Sequence, residues 1–175
     1  TPLIINEWNN NASLNDLEDH TTEQNSAYAI YAVFNMLETG IDKQAFFNFV
    51  DFEHNSLFSG STGIMSNEGV IKSVYNAFKA LAILQGEPED EITNRLKVDI
   101  GGDDDCFLAA IASQTKNNRV IRILISNYIP KAAMLKNGFS PKTYPCALKH
   151  RVIPRKISLN LTHVPFSGKA FMTTY

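Results

Sequence analysis

The stretch Leu-Ile-Ile-Asn-Glu-Trp-Asn at residues 3–9 decides the fold that the sequence predicts. Its first three residues form a short apolar run, which is typical of a parallel strand buried on both faces. The run leads straight into a carboxylate, Glu7, and an indole, Trp8, where a polar loop begins. In β/α barrels the working side chains project from the carboxyl ends of the strands. We therefore predict a barrel strand with functional side chains at its end.

Two interpretations of Glu7 and Trp8 remain open at this point. In the first, Glu7 is a nucleophile or a base, and Trp8 offers a flat aromatic face to a sugar ring. In the second, Glu7 is a surface acid and Trp8 is a packing residue. The local sequence is compatible with both.

Hydrophobic periodicity then predicts a helix, a strand and a second helix. Apolar residues recur at helical spacing over residues 23–38, behind a Thr-x-x-Gln pattern at residues 21–24 that is typical of a capping box. An aromatic run predicts a strand over residues 43–52. Residues 69–84 predict an amphipathic helix that ends before Gly86. This alternating order predicts two βα units of a parallel sheet.

Polar side chains also follow the second predicted strand. If this is the next barrel strand, they open onto the same face as Glu7 and join Trp8 as candidate substrate-binding residues. The alternative is a solvated strand end beside an aromatic core strand. The candidates at this strand end are Asn48, Asp51, Glu53 and His54.

The character of the chain changes at residues 87–91, an acidic and turn-prone segment that predicts a linker. Beyond it, short β-rich runs separated by turn residues predict an antiparallel β-sandwich. The predicted fold class is therefore α/β plus all-β. Residues 1–86 are the last two βα units of a (β/α)8 TIM barrel, and residues 87–175 are an incomplete β-sandwich accessory domain. The predicted sandwich runs cover residues 96–100, 107–112, 119–126, 156–161 and 169–174.

The predicted barrel portion is too short to close. A complete β/α barrel takes about 250 residues, so we expect this chain of 175 residues to be a fragment. Each short parallel strand needs neighbours on both sides and cover on both faces. The missing N-terminal part of the barrel, on the same polypeptide or a processed chain, is therefore an expected partner.

Composition excludes several classes of partner. The formal net charge is −2, and no cluster of Lys and Arg supports a nucleic-acid interface. The longest apolar run, residues 27–34, is far shorter than the roughly 20 residues of a membrane span. Scattered His residues and the two cysteines, Cys106 and Cys146, lack metal-ligand spacing, so we expect no metal and no cofactor. The compartment stays open, with a secreted or lysosome-like setting favoured.

The order of several motifs resembles one enzyme family. Ile-Asn-Glu-Trp-Asn at residues 5–9 resembles the nucleophile strand of glycoside hydrolase family 39, the β-xylosidase-type enzymes. Phe-Val-Asp-Phe-Glu at 49–53 is similar to the aromatic strand of that family, which ends in Asp-x-Glu. Phe-Ser-Gly at 58–60, Gly-Val-Ile-Lys at 69–72 and Tyr-Asn-Ala-Phe at 75–78 follow in the order of the family.

The resemblance continues in the second half of the chain and has two departures. Residues 109–113, 119–128 and 164–166 are similar to the β-sandwich that the family packs beside its barrel. The family usually shows Tyr-Trp where this chain has Phe-Phe at 46–47, and Lys-Pro where this chain has Lys-Ser at 72–73. These departures bear more on the substrate than on the fold.

The resemblance implies a retaining glycosidase that cleaves O-glycosidic bonds of a polysaccharide or oligosaccharide by double displacement. Such enzymes use two carboxyl groups about 5–5.5 Å apart, one as nucleophile and one as acid/base. Glu7 corresponds to the nucleophile, whereas the acid/base Glu of the family lies on a strand outside this chain. We therefore expect the isolated chain to be inactive. The alternative function is a non-catalytic carbohydrate-binding or structural module that keeps the fold.

Overall fold

The computed structural model describes residues 1–13, 16–52, 58–86, 94–102, 107–117, 119–128, 156–164 and 171–174. These residues have a mixed α/β architecture with two small sheets, one of strands β1 and β2 and one of strands β3, β4 and β5. The elements in chain order are β1 (Ile4–Trp8), α1 (Leu17–Thr21), α2 (Glu23–Glu38), β2 (Lys43–Phe46), α3 (Ser73–Gln85), β3 (Asn94–Leu96), β4 (Leu108–Gln114) and β5 (Ile121–Asn127).

The first sheet has the parallel pairing that the sequence predicts. β1 and β2 are parallel neighbours, with Trp8 opposite Phe46, and α2 forms the crossover between them. The predicted order of strand, helix, strand and helix is confirmed, with the short helix α1 as an addition. Asp16 begins α1, because its side chain accepts a hydrogen bond from the Asp19 N–H at 3.0 Å. The described residues supply two strands to this sheet and do not show a closed barrel.

Among the described residues, helices cover one face of the first sheet. Ile5 and Trp8 both face the helices, because the register between β1 and β2 shifts between these two residues. Ile4, on the other face, is 54% exposed. The prediction that this strand is buried on both faces is therefore wrong for the described chain, since one helical layer can cover only one face of a sheet. The buried residues of this core are Trp8, Ala29, Ile30, Val74 and Ala77.

The predicted bounds of α2 are confirmed at both ends, but its cap is shifted by one residue. Thr22 rather than Thr21 is the N-cap, and its side chain accepts a hydrogen bond from the Gln24 N–H at 3.3 Å. The Thr21 hydroxyl instead donates to the carbonyl of Leu17 on α1. Because Thr21 and Thr22 are adjacent, the sequence does not show which of them is the N-cap of α2. Thr21 belongs to α1, where its hydroxyl is already bonded, so Thr22 takes the N-cap position.

Two other elements are shorter than predicted. β2 ends at Phe46, because the N–H of Asn48 donates to the carbonyl of Thr62 and no longer to β1. α3 begins at Ser73 rather than at residue 69. Gly69 has a left-handed φ of 81° and closes a turn in which the Ser66 N–H donates to the Val70 carbonyl. The predicted helix end is close to the observed one, with Gly86 as the C-cap.

Two of the predicted β-rich runs, 107–112 and 119–126, form the antiparallel strands β4 and β5, whereas β3 shares only Leu96 with the run predicted at 96–100. Leu96 on β3 lies opposite Ala112 on β4, and Leu108 on β4 lies opposite Asn127 on β5. The sheet contacts α2, where the hydroxyl of Ser126 donates to the carbonyl of Ala27 at 2.8 Å. The antiparallel pairing is thus confirmed for the runs that form β4 and β5, whereas residues 97–100 carry no strand.

The described residues do not show a β-sandwich. They contain one three-stranded antiparallel sheet without a second sheet facing it. Residues 156–164 and 171–174 carry no strand, although the runs at 156–161 and 169–174 predict two. The predicted linker at 87–91 lies outside the described residues, so the domain boundary stays a prediction. Within the same described ranges, no helix is both long and apolar enough to cross a membrane.

Candidate active site at the carboxyl ends of β1 and β2

Glu7 is the penultimate residue of β1, next to Trp8, which packs against the helices. Glu7 is exposed, and among the described residues its carboxylate accepts no hydrogen bond and forms no ion pair. A carboxylate with this access can attack or deprotonate a ligand at the carboxyl end of β1.

Trp8 is a core residue in the described chain. Its side chain is 8% exposed, and its ring centroid lies 4.9 Å from that of Phe46 in an edge-to-face arrangement. The rings of Tyr28 and Phe78 lie 6.2 and 6.3 Å away. The indole N–H donates to the side-chain oxygen of Gln44. These contacts favour the packing role, one of the two interpretations that the sequence leaves open.

The loop after β2 is held by three side chains from three different parts of the chain. The carbonyl of Gly60 contacts His20 Nδ1 at 2.6 Å, and the Lys72 ammonium donates to the carbonyl of Ser61 at 2.7 Å. The side-chain amide of Asn9 donates to the carbonyl of Thr62 at 2.9 Å. Three successive carbonyls therefore each have a side-chain partner. Sequence reasoning missed this arrangement, because it depends on contacts between segments that are distant in sequence.

Asp51 and Lys72 form a buried ion pair beneath this loop. Asp51 Oδ1 lies 2.6 Å from Lys72 Nζ, and the two side chains are 1% and 0% exposed. The same oxygen accepts a hydrogen bond from the Gly63 N–H at 2.8 Å. Burial lowers the pKa of the Lys72 ammonium, and the adjacent Asp51 carboxylate opposes that shift. Asp51, a candidate substrate-binding residue, is thus engaged by the protein itself.

The remaining candidates at the end of β2 divide into two groups. Asn48 is half-buried, and its side-chain oxygen accepts a hydrogen bond from the Thr62 hydroxyl at 3.3 Å. The peptide bond before Asn48 is cis. Glu53 and His54 lie outside the described residues. The structure therefore brings four of the six candidates, Glu7, Trp8, Asn48 and Asp51, to the carboxyl ends of the two parallel strands.

A second buried polar cluster lies where the loop after β1 contacts the second sheet. Asp19, which is 2% exposed, accepts a hydrogen bond from the side-chain amide of Asn11 at 2.6 Å. Burial raises the pKa of the Tyr28 phenol. Burial and then the nearby Asp19 carboxylate raise the pKa of the Tyr128 phenol as well. Within the described ranges, no group of three or more His, Cys, Asp and Glu side chains is placed to hold a metal ion.

Comparisons with known proteins yield structural matches alone. No family model matches the chain, and no curated protein sequence matches it significantly. Among solved structures, the glycoside hydrolase family 39 enzyme from Xanthomonas axonopodis pv. citri matches with 19% identity and a TM-score of 0.44. A monomeric β-xylosidase from Caulobacter crescentus CB15 matches with 18% identity and a TM-score of 0.46. A family 39 β-xylosidase structure from Caulobacter crescentus matches with 21% identity and a TM-score of 0.45.

Each structural match covers 64% of this chain. The same matches cover 22%, 22% and 25% of the three solved chains, so this chain spans only a small part of their length. At such TM-scores the likeness does not by itself establish a common fold. Membership of the family is therefore not shown.

Proposed function

We propose that this chain carries the nucleophile of a retaining glycoside hydrolase that cleaves O-glycosidic bonds of a polysaccharide or oligosaccharide. The observation that carries the proposal is the position of Glu7, which is exposed and unpaired among the described residues at the carboxyl end of a parallel strand. Its neighbour Trp8 anchors the strand in the helical layer, so the backbone of Glu7 is fixed while its carboxylate stays accessible. The motif order that resembles glycoside hydrolase family 39 supports the same role.

The proposed chemistry is a double displacement at the anomeric carbon. The Glu7 carboxylate attacks the anomeric carbon as the glycosidic bond breaks, and the leaving oxygen takes a proton from a second carboxyl group. Water then cleaves the glycosyl–Glu7 ester, with the second carboxyl group now acting as base. We propose that this second group belongs to the N-terminal part of the barrel, which would pair with the first sheet. On this proposal the chain does not supply the second carboxyl group, so the isolated chain is inactive.

The candidate substrate-binding residues have different proposed roles. Asn48, Glu53 and His54 are proposed to hydrogen-bond sugar hydroxyls, because they follow the strand next to Glu7. Trp8 and Asp51 are proposed to support the site without contacting the sugar, because Trp8 packs against Phe46 and Asp51 binds Lys72. This division differs from the sequence-based expectation that all five contact the substrate.

A screen with aryl glycosides tests the proposed function. The longer protein that contains this chain should release aryl alcohol from at least one β-glycoside, whereas the isolated chain should release none above the uncatalysed rate. Release by the isolated chain would contradict the assignment of the second carboxyl group to another segment. No release from any glycoside by the longer protein, together with retained sugar binding, would instead favour the non-catalytic carbohydrate-binding module.

A further inference from the structure

The ion pair between Lys72 and Asp51 joins the segment after β2, the loop at 60–64 and the start of α3. Lys72 is the residue directly before α3, and Asp51 follows the end of β2. The Lys72 ammonium donates to Asp51 Oδ1 at 2.6 Å and to the carbonyl of Ser61 at 2.7 Å. Asp51 Oδ1 also accepts from the Gly63 N–H. The pair therefore binds the loop at the residues on both sides of Thr62.

Thr62 in turn connects this loop to both strands of the first sheet. Its carbonyl accepts hydrogen bonds from the side-chain amide of Asn9 at 2.9 Å and from the Asn48 N–H at 3.2 Å. Asn9 is two residues beyond Glu7, and the neighbouring Trp8 carbonyl accepts from the Phe47 N–H at 2.8 Å. A continuous set of short contacts thus runs from the Lys72 ammonium to the carboxyl end of β1.

We propose that Lys72, held by Asp51, is a positioning residue that fixes the loop at 60–64 against Asn9 and so sets the place of Glu7 at the end of β1. The catalytic use of this positioning rests on the proposed function. The geometric part, a fixed loop and a fixed strand end, concerns the described chain alone.

The energetics of buried ion pairs favour a geometric role over a purely stabilising one. Desolvation of two charges offsets much of their attraction, so well-packed apolar residues often replace such a pair without loss of stability. What an apolar pair cannot replace is the directional bond from the Lys72 ammonium to the Ser61 carbonyl. Catalytic groups need supporting contacts of this kind, because a misplacement of about 1 Å can reduce the rate by about 100-fold.

Two variants separate positioning from stability. Lys72→Met alone leaves the Asp51 carboxylate buried without its partner, and this variant is expected to lose stability. The double variant Asp51→Asn/Lys72→Met removes both charges and keeps a side-chain oxygen for the Gly63 N–H, so it removes mainly the bond to the Ser61 carbonyl. Lys79→Met, at an exposed position of α3, is the matched control.

Amide hydrogen exchange in this chain is the first readout. In the double variant, we expect the Asn48 amide, which donates to the Thr62 carbonyl, to exchange at least about tenfold faster, while amides in the middle of α2 keep their rates. Lys79→Met should leave all of these rates unchanged. Unchanged exchange at Asn48 in the double variant would overturn the proposal, whatever the outcome for the proposed function.

Steady-state kinetics of the longer protein are the second readout. The double variant should lower kcat by about tenfold or more and change KM by less than about twofold, because Lys72 acts on the place of Glu7 rather than on the sugar. Faster exchange with an unchanged kcat in an active enzyme would overturn the catalytic use assigned to the Lys72–Asp51 ion pair. If the longer protein has no glycosidase activity, the proposed function fails, and the exchange result still decides whether Lys72 fixes the strand end.

Discussion

Under the proposed function, replacement of Glu7 by glutamine should reduce the glycosidase activity of a longer protein that contains this chain by about 10⁴-fold or more. Glutamine has nearly the same shape as glutamate but cannot form the glycosyl ester, so the first step of the double displacement is lost. The Glu7 side chain is exposed and accepts no hydrogen bond within the described part of the chain, so the amide of the introduced glutamine should not disturb the fold. Sugar binding should therefore remain largely intact.

The measurement compares initial rates on an aryl glycoside with sugar binding by calorimetry. Glu68→Gln is a suitable control, because Glu68 is also exposed but lies in the turn before α3. We expect this control to keep the parent rate within about twofold. Substantial activity in the Glu7→Gln enzyme would show that Glu7 is not the nucleophile.

Gly63→Ala should produce the largest loss of stability among single-residue substitutions by alanine in the loop at 60–64. A Cβ atom at Gly63 would lie 2.4 Å from the Asp51 nitrogen, 2.6 Å from the Val50 carbonyl carbon and 2.7 Å from Asp51 Oδ1. Two of these atoms are backbone, so the chain itself must move. The movement would weaken the bond between the Gly63 N–H and Asp51 and disturb the buried ion pair. We expect a loss of about 3 kcal/mol or more in the free energy of unfolding.

Urea unfolding of the chain, followed by Trp8 fluorescence, measures this loss. Gly101→Ala is the matched control, because no atom lies within 4 Å of the added Cβ. Its free energy of unfolding should stay within about 0.5 kcal/mol of the parent value. A Gly63→Ala chain as stable as the Gly101→Ala chain would show that the loop does not pack against Asp51 as described.

Regular periodicity accounts for the part of the fold that the sequence predicted well. The apolar stripe of α2 has a spacing that only a helix can place on one face, and its bounds at Glu23 and Glu38 match the prediction. The β-rich runs that became β4 and β5 were placed within one or two residues at their starts. Such signals are local, so tertiary contacts need not be known to read them.

Contacts between distant segments account for most of what the sequence could not predict. Lys72 belongs to a recognisable motif, yet nothing near it in the sequence indicates that its ammonium is buried against Asp51 and Ser61. The early end of β2 has the same origin, because Thr62, sixteen residues beyond Phe46, takes the hydrogen bond of Asn48. The role of Trp8 likewise stayed open until its ring contacts were known.

Covalent trapping of the glycosyl intermediate tests the central claim most directly. The longer protein should be incubated with a 2-deoxy-2-fluoro glycoside of the sugar that it cleaves, with a good leaving group, and then digested and sequenced by mass spectrometry. A mass increase of one fluoroglycosyl unit on the Glu7 carboxylate is the predicted result. Label on another carboxylate, or an active enzyme that accumulates no label, would contradict Glu7 as the nucleophile of a retaining glycosidase.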